Sequence, residues 1–139
     1  AMSAFDPAWM DHVDDRAGII IVAQGLFMYF DPDLVRNLFV KIAARFPGGQ
    51  MIFDLIPSCA SKANRAGHRV TPAYTSPSMP WGLDRDKVAS TLCSWYPGVK
   101  WVRCISNRPP GARPEILENV LDSMLPRRRH RPCIAYVAF

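Results

Sequence analysis

Gly18 to Pro57 reads GIIIVAQGLFMYF, DPDLVRNLFVKIAARFPGG, QMIFDLIP, and this stretch decides the fold. Gly18 to Val22 is apolar and β-branched, the composition of a strand buried on both faces. Gln24 and Gly25 break the apolar run with a polar amide and a residue that permits close backbone approach. Asp31-Pro32 starts a helix: Asp31 is a good N-cap, and proline suits the first helical position, where its missing N–H costs nothing. Leu34, Leu38 and Ile42 then recur every four residues, flanked by Val35 and Phe39, so one helix face is apolar. Pro47-Gly48-Gly49 stops the helix. Met51-Ile52-Phe53 is a second apolar strand with Asp54 at its end. Strand, helix and strand with short connections form a right-handed βαβ unit of a parallel sheet. Ligands of such sheets sit at the carboxyl ends of the strands, where Gln24, Gly25, Tyr29 and Asp54 fall.

Upstream, Asp6-Pro7 repeats the helix start, and the spacing of Trp9, Met10 and Val13 predicts a short amphipathic helix. Downstream, Ser58 to Arg65 favours a helix that Gly67 ends. Val70 to Gly82 reads VTPAYTSPSMPWG, and its prolines argue against regular structure. Tyr74, Met79 and Trp81 make this loop either one pinned to the body or the lining of a pocket. Asp84 is read as the cap of a helix running to about Trp95. Val99 to Ile105 alternates as a strand, Pro114 opens a helix through Met124, and Cys133 to Phe139 is a final apolar strand. The reading is a single domain over residues 3–139 with about four sheet strands and about five helices; Ala1-Met2 reads as one added residue before a native start.

With 139 residues, 49% of them hydrophobic, the chain has a globular composition, not a disordered one. No segment reaches the roughly 18 apolar residues that span a bilayer, and no secretory leader opens the chain, so a cytoplasmic location is expected. Cys59, Cys93, Cys104 and Cys133 contain no C-x-x-C pair, which argues against zinc and for reduced structural thiols. His12, His68 and His130 lie far apart, and no catalytic dyad is obvious. Net charge is +5, but Arg127, Arg128, Arg129 and Arg131 crowd one turn, and the remainder is near +1. Such a turn is either a solvated loop or a phosphate- or nucleic-acid-binding patch; no aromatic residues interleave it.

At IIIVAQGLFMYF (19–30), RFPGGQMIFDLIP (45–57) and SPSMPWGLD (76–84) the sequence resembles a known family. FDPAW before the first strand is in the expected order too. The family is that of the S-adenosylmethionine-dependent O-methyltransferases typified by the tetracenomycin polyketide carboxyl methyltransferase, which is similar to the leucine carboxyl methyltransferases. The resemblance is to the second half of that family. It implies a truncated Rossmann-like class I methyltransferase fold, a mostly parallel α/β sheet holding the family's fourth to seventh strands. The family's glycine-rich loop and ribose-binding acidic residue, which lie in its first half, have no counterpart here. By resemblance Gln24, Gly25 and Tyr29 face S-adenosylmethionine, and Asp54, Tyr74 and Trp81 lie on the substrate side, toward a carboxylate or polyketide hydroxyl acceptor. From the residues alone, Gln24 equally caps local backbone, Tyr29 equally packs in the core, and Asp54 equally caps the helix that follows. A carboxylate acceptor is already ionised at neutral pH and needs no general base. In the family the fourth strand pairs with the first. Without that neighbour Gly18–Ala23 is an open apolar edge, so the expected partner is a second copy covering it or a complementary N-terminal half. A remnant that self-associates without catalysing is the other reading.

Overall fold

The βαβ unit forms as its residues dictate. In the computed structural model, which describes residues 2–14, 17–67, 69–106 and 131–139, strand β1 is Ile20–Ala23, helix α1 is Pro32–Arg45 and strand β2 is Gln50–Leu55. Asp31 caps α1 by accepting the Asp33 N–H at 2.9 Å, and Pro32 occupies the first turn. The helix ends at Phe46, and Gly48, with φ +83°, turns the chain into β2. β1 and β2 are parallel, with Ile20 beside Gln50 and Ala23 beside Phe53.

The later elements are α2 (Ser58–Ala63), β3 (Arg69–Thr71), β4 (Tyr74–Thr75), α3 (Val88–Trp95), β5 (Trp101–Ser106) and β6 (Cys133–Ala138). The main sheet has the order β1-β2-β6-β5. β6 is antiparallel to both β2 and β5, so β1, β2 and β5 share one direction. The mostly parallel sheet therefore holds in strand direction, with one reversed strand placed between β2 and β5.

Period-two alternation sorts the sheet into two unlike faces. Met51, Phe53 and Leu55 of β2 join Cys133, Ala135 and Val137 of β6 on the buried face. α1 lays Val35, Leu38, Phe39 and Ile42 into the same core, and α3 adds Val88 and Leu92. Aromatic rings knit these layers: Phe27 meets Phe53 at 5.3 Å, and Phe39 meets Trp95 and Phe139 at 5.8 Å each. The opposite face carries Ile20, Val22, Ile52, Ile134 and Ile105, of which Ile20 is 61% exposed and Val22 66%.

Three local expectations change. The first helix is a 3-10 segment, Pro7–His12, with the Ala8 N–H on Asp6 Oδ1 at 3.0 Å; it is too short to need α geometry. Val70 to Gly82 begins with the β3–β4 hairpin, whose turn is Pro72-Ala73. Asp84 does not cap the segment that follows it, which opens as 3-10 at Arg85–Lys87. Its carboxylate instead accepts the Ser58 N–H at 3.0 Å, at the first residue of α2. The helix expected from Pro114 and the arginine turn up to His130 lie outside the described residues, as does His68.

Candidate functional site

The carboxyl ends of β1 and β2 lie side by side because the two strands are parallel and in register. Ala23, the last residue of β1, is buried; Gln24 and Gly25 then turn out of the sheet and are exposed. Gly25 adopts φ +58°, the left-handed region that side chains with a Cβ rarely enter. Its N–H donates to Asp54 Oδ1 at 2.7 Å, locking the two strand ends together across 29 residues of sequence. This bond shows what Asp54 does: it holds the β1 turn, while the N–H of the first residue of α2 goes to Asp84. A charge-assisted bond of this kind contributes roughly 1.5–3 kcal/mol.

Beside the bond is a cavity of about 250 Å³ lined by Ala23, Gln24, Phe53, Asp54 and, on the open sheet face, Val22, Ile52 and Ile134. Gln24 and Asp54 are its polar groups. Ile134 comes from β6, nearly the whole chain away, but it stands directly opposite Asp54 in the register. Pleat parity alone places Val22, Ile52 and Asp54 together; adding Ile134 requires knowing that β6 neighbours β2.

The other sequence-derived candidates do not line this cavity. Tyr29 closes the 3-10 segment Phe27–Tyr29 and is 38% exposed, following the buried Phe27 and Met28. Tyr74 stands on the β3–β4 hairpin and is 55% exposed. Trp81 is buried against Phe27 and Trp95, and its backbone N–H bonds the Met28 carbonyl at 3.3 Å. Of the two readings of its loop, Trp81 follows the pinned one.

A second chemically distinct group sits on the buried face. Cys104 on β5 and Cys133 on β6 are diagonal neighbours, since Cys104 pairs with Ala135 and Ser106 with Cys133. The hydrogen bond from Cys133, together with the nearby Arg85 guanidinium, holds the Cys104 thiol down at about 7 against the opposing effect of burial. Donating that bond, and then burial, push the Cys133 thiol up. Arg85 is kept there by its Nη2, which donates to the Cys104 carbonyl at 2.8 Å. The thiolate is the nucleophile, so alkylation of Cys104 by iodoacetamide should climb with pH and reach half its plateau near 7. Site-resolved mass spectrometry checks this; a half-plateau at the ordinary 9.0 would contradict the assignment. Among the described residues no group of His, Cys, Asp and Glu could hold a metal ion, and no helix is long and apolar enough to cross a membrane.

The fold is shared with solved structures. The small RNA methyltransferase HEN1 superposes with a TM-score of 0.55 at 12% identity, over 98% of this chain and 15% of that one. A protein of Bordetella parapertussis described as a possible exported protein gives 0.54 at 15% identity, over 99% and 42%. A protein of Nostoc punctiforme described as an O-methyltransferase gives 0.50 at 14% identity, over 100% and 35%. No family model matches the sequence, and no curated protein matches it. The likeness is therefore one of fold: a Rossmann-like α/β unit, a four-stranded sheet with flanking helices. The chain spans less than half the length of each of these solved proteins.

Proposed function

We propose that the chain is a methyltransferase-related unit of the tetracenomycin and leucine carboxyl methyltransferase kind, supplying the wall of the site that faces the methyl acceptor. The observation that carries this reading is the Gly25–Asp54 bond beside the cavity that Gln24 and Asp54 line, at the carboxyl ends of parallel strands. S-Adenosylmethionine would supply a sulfonium methyl group to a carboxylate or polyketide hydroxyl. Positioning and exclusion of water contribute most to such a substitution, and an ionised carboxylate asks for no base. Gln24 is exposed at the cavity, with a carboxamide able to donate and accept hydrogen bonds to an adenosyl group. Gly25 supplies the positive φ that turns the chain out of β1, and Asp54 fixes that turn.

The fit to the cofactor is that of one wall. The sequence has no glycine-rich G-x-G run to receive the methionine moiety, and the Gly25 N–H is already engaged by Asp54. Binding by this chain alone is expected to be weak, with a dissociation constant on the order of 1 mM, about −4 kcal/mol. Calorimetric titration with S-adenosylmethionine tests this, with Gln24→Ala as the comparison. Heat in the wild type that is lost in Gln24→Ala supports the site. No heat at millimolar donor, with the fold intact by circular dichroism, overturns autonomous donor binding. A second reading, a unit that associates with its like and does not catalyse, is favoured by the open β1 edge.

A further inference from the structure

β1 ends the main sheet, and its outer side has no strand neighbour among the described residues. The Gln50 N–H bonds the Ile19 carbonyl at 3.0 Å, so Ile19, Ile21 and Ala23 turn their backbone groups toward β2. Alternation then turns the N–H and C=O of Ile20 and Val22 outward. Among the described residues these are also the most exposed large hydrophobics, at 61% and 66%. Ile20–Ala23 contains no lysine, proline or charge, the usual guards of an edge strand. Along the same edge, under the other face, runs an apolar cavity of about 290 Å³ lined by Ile21, Ala23, Trp9, Leu38 and Ile42 among others. The edge is thus apolar above and below, with backbone groups aimed out between.

We infer that this edge receives β1 of a second copy of the chain, antiparallel across a two-fold axis normal to the sheet. Pleat parity fixes the register. Each face must continue into the same face of the partner, so residues of like parity oppose each other. The pairing that centres the strand sets Ile21 against Ile21 on the axis and Ile20 against Val22 on either side. Ile20 and Val22 carry the outward backbone groups, so each such couple exchanges two N–H···O=C bonds, and the Ile21 couple is the close, non-hydrogen-bonded kind. Ile20 and Val22 then form β-branched cross-strand pairs. The Ile21 side chains lie on the cavity side of the sheet, where each copy extends the apolar wall of the other. Flanking residues oppose without conflict: Ala23 faces Ile19, Gln24 faces Gly18 and Gly25 faces Ala17, with no like charges brought together. A self-complementary strand of this kind favours a second copy over an unrelated chain.

The inference is independent of donor binding. Sedimentation equilibrium of the full chain at micromolar concentration should show a dimer. Val22→Lys, at an exposed position, should weaken it at least about tenfold while circular dichroism stays unchanged. In a Cys59→Ser, Cys93→Ser, Cys104→Ser background, Ile21→Cys should give a disulfide-linked dimer under mild oxidation. Ile20→Cys alone should not, because its counterpart is Val22. A monomer at every concentration overturns the inference. So does a dimer that Val22→Lys leaves intact or that Ile21→Cys does not cross-link, since it would use another surface.

Discussion

Trp81→Ala should lower stability by about 3–5 kcal/mol. Trp81 is 5% exposed and wedged between Phe27 at 6.2 Å and Trp95 at 6.0 Å. Phe27 in turn meets Phe53 of the central strand β2, and Trp95 meets Phe39 of α1. The indole therefore joins the loop before Gly82 to the strand and to both longer helices. Its removal leaves a hole bordered by side chains that are themselves tied in, so little collapse can refill it. Domains of this size are stable by about 5–15 kcal/mol, so the loss is a large fraction of the whole. At roughly 3 °C per kcal/mol the melting temperature should fall by roughly 10–15 °C. Urea denaturation should show a lower midpoint with an unchanged slope. A cost below about 1 kcal/mol would mean that the ring is peripheral, and would return Trp81 to the substrate side of the site.

This residue shows where the sequence was readable. Gly18 to Pro57 declared its strand, capped helix and second strand through contacts within a few residues: a β-branched run, Asp31-Pro32, Pro47-Gly48-Gly49. Local physics decided those elements, and they form with boundaries shifted by a residue or two. The insertion of β6 between β2 and β5 is a long-range event. β6 is a short apolar run, and its reversed pairing was not visible in CIAYVAF. The carboxylates were legible as caps but not as to what they cap. Asp54 lies near the end of β2, ahead of α2, and Asp84 precedes the 3-10 start at Arg85, yet they bond backbone 29 and 26 residues away. The aromatic loop was legible as either pinned or pocket-lining, and which aromatic was anchored depended on the tertiary fold. Trp81 entered the core, whereas Tyr74 took the exposed hairpin. The placement of Gln24, Gly25 and Asp54 at the strand ends was legible because a parallel sheet gathers its carboxyl ends; that of Ile134 beside them was not, because it arrives from the strand whose place was hidden.

Gly82→Ala is expected to cost about 2–4 kcal/mol for a single methyl group. A Cβ there would stand 2.7 Å from Ser61 Cβ, 2.9 Å from the Pro57 carbonyl and 3.0 Å from the Ile56 carbonyl. Two of these three obstacles are backbone oxygens at the end of β2 and the start of α2, so no rotamer change relieves the clash. The loop must lift instead. Around this point three bonds clip it down: Leu83 N–H to Ile56 O at 2.8 Å, Ser61 Oγ to Met79 O at 2.9 Å, and Ser58 N–H to Asp84 Oδ1 at 3.0 Å. Lifting by a few tenths of an ångström stretches all of them together, which is why the cost should exceed that of overpacking alone. Tryptophan emission should shift to the red as Trp81, the preceding residue, is drawn toward water. Amide exchange should quicken at Leu83 and Ser58 while remaining slow at Met51 and Phe53. That pattern separates a loosened loop from a failing core. If Gly82→Ala instead stays within about 0.5 kcal/mol of the wild type, the segment is not clipped to the strand end. The candidate site would then have a movable neighbour beside Asp54, and the closeness of loop and strand could not be what keeps the β1 and β2 ends in place.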